Sequence, residues 1–248
     1  MAHLHCDFGS ECLKMNTAIN VVLPEKTDLR TVRVVYLFHG LMDNCSGWYR
    51  YSSVERYARL HNVALVTPEV QRSFYTDMAL GVDYFRYVSR ELPEVCRGFF
   101  GFSPEREKNY VMGLSMGGYG ALKCALTYPE QYAGVAAFSA VTDIKDRVKK
   151  FPEDRKEFQA IFGPDLIVPD RDDLFALAEQ ADPKTAPRIL TACGEEDSLF
   201  EQNRQFADLL TGRGFDETFT HWTGIHDWVF WDRAVMEAMD AMFGGEAK

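Results

Sequence analysis

Gly113-Leu114-Ser115-Met116-Gly117 sets a serine at the centre of a G-x-S-x-G pattern. An apolar run at residues 110–114 precedes it, and Ala121, Leu122, Ala125 and Leu126 follow at helical spacing. Strand, sharp turn and helix in that order present a hydroxyl at the top of a sheet. The turn leaves no room for side chains two residues before and after the serine, a need that Gly113 and Gly117 meet, and Gly118 lets the helix come closer.

A serine hydroxyl is a weak nucleophile; it needs a base, and the base needs an acid to orient it. In this kind of site the chain order is Ser, then Asp or Glu, then His. Downstream of Ser115 stand His221 and His226. His221 lies inside the run 218–222 and reads as an edge or structural histidine. His226 follows Gly224-Ile225 in a loop before the last helical pattern and is the expected base. Gly194-Glu195-Glu196-Asp197 follows the run 189–193, and Asp197 at its tip is the expected acid. Glu195 and Glu196 read as solvated charges, and Asp143 is the rival position for the acid.

Acyl transfer also needs donors aimed at the oxyanion. One is expected from the backbone N–H of Met116, the other from Leu41 in Phe38-His39-Gly40-Leu41, with Gly40 letting the backbone approach. His39 reads as a brace for that loop, not as a base. Trp48, Tyr75, Tyr119 and Trp228 are candidate pocket aromatics, each with core packing as an equal alternative.

These residues need a frame. Runs at 18–23, 32–38, 63–67, 110–114, 135–139, 189–193 and 218–222 predict strands, several of them nearly continuous in apolar residues as expected of parallel strands covered on both faces. Between them, Val82, Phe85, Val88, Leu92 and Val95 predict a helix that Pro93 kinks or closes. A second helix over 121–126 stops before Pro129, a third around Phe206, Leu209 and Leu210 ends at Gly212 and Gly214, and Val235, Met239 and Met242 mark a last one. Alternation of this kind implies an α/β protein with a mostly parallel sheet wrapped on both faces. Residues 142–187 hold Pro152, Pro164, Pro169 and Pro183 and no convincing strand. They read as a small helical cap inserted into a single domain over 1–248, placed where it can shape a pocket.

The chain has 248 residues, 46% apolar and 26% charged, which fits a globular protein with a substantial core. Its formal charge of −10 repels phosphate backbones and anionic lipids, so neither nucleic acid nor a membrane is an expected partner. No run approaches the roughly 18 apolar residues of a membrane span. The first residues show no basic-then-apolar leader pattern. Six cysteines without a C-x-x-C pair read as free thiols of a cytoplasmic protein. No side-chain cluster has metal-ligand spacing, and Gly117-Gly118-Tyr119-Gly120 follows the serine turn and serves helix packing, so no metal or other cofactor is expected. A catalytically idle binding module is the contrary reading, against which the intact serine, acid and base speak.

The assembled residues resemble the putative-esterase family of α/β-hydrolases, which includes esterase D (S-formylglutathione hydrolase), bacterial tributyrin esterases, feruloyl and acetyl-xylan esterases and mycolyltransferases. The stretches that carry the resemblance are Phe38-His39-Gly40-Leu41, Gln71 to Asp77, Glu91-Leu92-Pro93, Gly113 to Leu122, Cys193 to Asp197, and His226-Asp227-Trp228 with Trp231. The resemblance implies Ser115 as nucleophile, Asp197 as acid, His226 as base, and Leu41 and Met116 as oxyanion donors. Esterase D-like proteins carry Thr-Cys soon after His-Gly-Leu, where this chain has Met42-Asp43. The likeness is therefore strongest to the tributyrin-esterase branch and implies a carboxylesterase for small short-chain acyl esters. An acyltransferase or an S-formylglutathione hydrolase-like thioesterase using the same triad is the alternative. Relatives of this kind form dimers or tetramers, so self-association is a further expectation.

Overall fold

The computed structural model describes residues 1–244. Its strands are β1 (Ala2–Ser10), β2 (Met15–Leu23), β3 (Arg33–Phe38), β4 (Val63–Pro68), β5 (Asn109–Leu114), β6 (Gly134–Phe138), β7 (Arg188–Gly194) and β8 (Glu217–Trp222). They form one sheet in the order β1-β2-β4-β3-β5-β6-β7-β8. β2 runs antiparallel to β1 and β4, and every other pairing is parallel.

The helices, in chain order, are α1 (Gly47–Tyr51), α2 (Val54–His61), α3 (Tyr84–Arg86), α4 (Leu92–Phe100), α5 (Met116–Thr127), α6 (Ile144–Lys150), α7 (Arg155–Phe162), α8 (Leu174–Gln180), α9 (Phe200–Arg213) and α10 (Trp228–Phe243). Successive strand residues point to opposite faces, so each interior strand feeds two cores. In β3, Val34, Tyr36 and Phe38 face the core under α4, α5 and α9, while Val35 and Leu37 face the core under α1, α2 and α10. Helices α6, α7 and α8 lie between β6 and β7 and bury Ile144, Phe158, Ile161 and Leu174 in the first of those cores.

Three local expectations need correction. β1 has no apolar run: its residues alternate between exposed and half-buried, and it is an edge strand held by its ladder to β2. Pro93 does not close its helix, which continues to Phe100. A π turn over Tyr87–Glu91 precedes the proline and accommodates its ring and missing N–H. Glu91, which ends that turn, accepts bonds from Ser10 Oγ (2.6 Å) and the backbone N–H of Glu11 (2.6 Å), fastening the β1–β2 hairpin. Gly212 lies inside α9, and Gly214, at φ 85°, closes it.

Candidate functional site

Ser115 sits between β5 and α5 at φ 51°, ψ −116°, a left-handed conformation rare for a side-chain-bearing residue. Strain of this kind costs about 1–3 kcal/mol and persists only where the surroundings enforce it. Here the Ser115 N–H donates to the Phe138 carbonyl (2.8 Å), and its own carbonyl accepts from Tyr119 (3.1 Å) and Val141 (3.2 Å). A β-carbon at Gly113 would stand 2.3 Å from the Gly117 carbonyl oxygen, and one at Gly117 would stand 2.4 Å from that of Phe38. Only glycine fits at either position.

The loop from β8 to α10 brings His226 to this serine, with Nε2 3.0 Å from Ser115 Oγ. His226 Nδ1 lies 2.8 Å from Asp197 Oδ2 in the turn after β7. The Asp197 side chain is wholly buried, and its second oxygen accepts from the Leu199 N–H at 2.9 Å. Burial pushes the Asp197 carboxyl up. Bonds from His226, the Leu199 N–H and the Ser139 hydroxyl outweigh that and hold it below its ordinary value. An ionised Asp197 takes a proton on Nδ1, which leaves the Nε2 lone pair facing the serine hydroxyl (the tautomer is assigned from these partners).

Neighbouring charges hold the frame. Glu196 is not merely solvated: its carboxylate accepts from the Gly224 N–H and its own N–H donates to the Gly224 carbonyl (3.0 Å), pinning the loop that carries His226. Glu195 pairs with His221 (2.9 Å) at the exposed edge, and Asp143 caps α6 through the Asp146 N–H (2.8 Å). Neither His221 nor Asp143 is among the residues lining the cleft beside Ser115.

Leu41 and Met116 flank Ser115 in that cleft. The Leu41 loop is braced from beneath by His39, which is buried. Its Nε2 accepts from the Val70 N–H (3.2 Å), and its Nδ1 bonds the Gly40 carbonyl (2.8 Å). Burial lowers the His39 pKa, so the ring is neutral.

The cleft encloses about 420 Å³, and its walls include Gly40, Phe74, Val141, Phe151, Leu199, Trp228 and Trp231, with Asp43 and Arg147 as its charged members. Gly40 and Trp228 thus stand where the sequence reading placed them. Trp48, Tyr75 and Tyr119 stand behind the wall, fully buried. Each spends its polar atom on backbone: Trp48 Nε1 on the Phe38 carbonyl (3.0 Å), Tyr75 on that of His39 (3.0 Å), Tyr119 on that of Asp172 (2.6 Å). Sequence reasoning missed Asp43, Phe74, Arg147, Phe151 and Leu199 as lining residues; nothing in their spacing marks them, because they converge from four separate loops and helices.

A nucleophile held at a strained bend, an imidazole on one side of it and a buried carboxylate behind the imidazole can form and hydrolyse a covalent acyl intermediate. Among the described residues no helix is long and apolar enough to cross a membrane. The family described as "Putative esterase" matches residues 10–242. An acetyl esterase of Caldicellulosiruptor saccharolyticus is 31% identical over 98% of both chains. Two Staphylococcus aureus structures superpose with a TM-score of 0.88 over 98% of each chain: a fluorophosphonate-binding serine hydrolase (29% identical) and an S-formylglutathione hydrolase (30% identical). With its eight-stranded sheet and a serine held between strand and helix, the chain belongs to this esterase family of α/β-hydrolases and is a carboxylic ester hydrolase.

Proposed function

We propose that the protein hydrolyses short-chain acyl esters of small alcohols, without a cofactor, through an acyl-enzyme formed on Ser115. The observation that carries this reading is the continuous relay from Ser115 Oγ through His226 (3.0 Å) to the buried Asp197 (2.8 Å). Ser115 Oγ attacks the ester carbonyl carbon as its proton passes to His226 Nε2, while the N–H groups of Leu41 and Met116 receive the oxyanion. The tetrahedral species collapses, the C–O bond to the alcohol breaks, and His226 returns the proton to the departing oxygen. Water then repeats the cycle on the acyl carbon and frees the acid.

The likeness to an acetyl esterase at 31% identity supports a short acyl group, and a cleft of about 420 Å³ walled by Phe151, Trp228 and Trp231 has room for the acyl and alcohol parts together. The segment between β6 and β7 supplies Arg147 and Phe151 to that wall and is the part we read as a cap on a single domain. Six free thiols, four of them buried, support a cytoplasmic setting. The test is turnover of p-nitrophenyl esters of rising acyl length. Acetate and butyrate are expected to exceed octanoate in kcat/KM, and Ser115→Ala is expected to abolish all three. Full activity in that variant would end the proposal.

A thioesterase reading is favoured by the S-formylglutathione hydrolase likeness at 30% identity. Competition between S-formylglutathione and p-nitrophenyl acetate for one enzyme sample decides between thioester and oxygen ester.

A further inference from the structure

The cleft contains one charged group whose charge nothing close by answers. Arg147 is already paired with Asp154 at 2.5 Å and lies over the Phe151 ring. His226 is engaged by Ser115 and Asp197. The Asp43 carboxylate has neither a hydrogen bond nor an ion pair among the described residues: burial pushes its pKa up, and only the more distant charge of Arg50 works against that. A partly exposed carboxylate in the cleft with no protein donor is open to a donor that arrives with the substrate.

Its position says what that donor accompanies. A β-carbon at Gly40 would stand 3.5 Å from Asp43 Oδ2 and 3.8 Å from Ser115 Cβ, so carboxylate and nucleophile flank the same glycine. Trp228 lines the same cleft, and its ring packs against Trp48 (5.1 Å) and the half-exposed Tyr51 (5.5 Å). A carboxylate that accepts from hydroxyls, next to an indole that covers C–H faces, suits a hydroxylated carbon skeleton. Arg147 in the same cleft disfavours a cationic substrate, which would otherwise satisfy both Asp43 and the tryptophan.

We propose that Asp43 is a specificity-determining residue that accepts a hydrogen bond from a free hydroxyl on the alcohol part of the ester, directing the enzyme to partly acylated polyols or sugars. This rests on the serine-esterase reading above and deepens it. It also gives a role to the position where the chain departs from the esterase D-like Thr-Cys, at Met42-Asp43.

The test compares glycerol monoacetate with propyl acetate, which has the same carbon chain and no free hydroxyl. Acetylcholine and a mono-acetylated methyl xyloside run beside them. A hydrogen bond to a charged acceptor is worth roughly ten- to a hundredfold in kcat/KM. Wild type is expected to prefer glycerol monoacetate, the xyloside or both over propyl acetate by that factor. Asp43→Ala is expected to bring the ratio to within about twofold of unity. Asp43→Asn, which keeps the volume and one acceptor oxygen, is expected to fall between and carries the test should the alanine variant not fold. An equal loss on hydroxylated and plain esters would overturn the proposal, leaving Asp43 as a support for the Gly40 loop. So would an Asp43-dependent preference for acetylcholine. Failure of wild type to hydrolyse any of these esters or p-nitrophenyl acetate would instead refute the serine-esterase reading itself.

Discussion

Asp197→Asn isolates the part of the relay that touches no substrate. In the native protein Asp197 Oδ2 accepts from His226 Nδ1 at 2.8 Å, and Oδ1 accepts from the Leu199 N–H at 2.9 Å. The replacement has the same shape, and its carbonyl oxygen can keep the Leu199 bond. Its NH2 group then faces Nδ1 and donates where the carboxylate accepted, which moves the imidazole proton to Nε2. That nitrogen now presents a proton to Ser115 Oγ and is no longer a base. The imidazolium formed during attack also loses its buried counter-charge. Removing one partner of a buried charged pair costs about 3–5 kcal/mol, and at 1.36 kcal/mol per decade this is roughly two to four orders of magnitude in kcat. The assay is steady-state hydrolysis of p-nitrophenyl acetate at neutral pH, with a thermal melt to establish that the variant is folded. A folded variant that keeps kcat within tenfold of wild type would show that the carboxylate neither fixes the tautomer nor carries the charge.

Other perturbations reach the frame. Lys123 and Asp172 form a fully buried pair at 2.5 Å that ties α5 to the turn before α8, so Lys123→Met should cost about 3–5 kcal/mol by denaturant melt, part of it recovered in Lys123→Met/Asp172→Leu. Gly117→Ala would drive a β-carbon to 2.4 Å from the Phe38 carbonyl oxygen, and a loss of about 3 kcal/mol or more is expected, with activity lost as the turn shifts. His39 has a folded pKa below its ordinary value of 6.5, so as pH falls through 6.5 the unfolded chain takes up a proton that the folded protein refuses. Stability should therefore fall from pH 6.5 downward until the folded ring itself titrates, and His39→Gln should show a flatter melting-temperature profile over that window.

Much of the site is legible in the sequence because the nucleophile turn constrains its neighbours so tightly. Gly113, Ser115 and Gly117 are adjacent in the chain, and the backbone contacts that require them are local. Asp197 and His226 are readable because each stands in a loop just after a strand, where a parallel sheet gathers its loops at one end. The Trp48, Tyr75 and Tyr119 side chains are a different case: an aromatic near the site looks alike in sequence whether it faces the cleft or bonds the loop behind it. Asp43 shows in the sequence only as a departure from the esterase D-like Thr-Cys, because its lack of a protein donor is a property of the packed structure. β1 is a different kind of strand: Leu4, Cys6 and Phe8 lie half-buried between the exposed His3, His5 and Asp7, a period-two alternation on an edge strand that no continuous apolar run marks.

The central claim is that the Ser115 hydroxyl is the atom that becomes acylated. A fluorophosphonate probe followed by peptide mapping by mass spectrometry tests it directly. One adduct per chain is expected, on the peptide containing Ser115, blocked by prior incubation with substrate and absent from Ser115→Ala. An adduct on another residue, or undiminished labelling and turnover in Ser115→Ala, would contradict it.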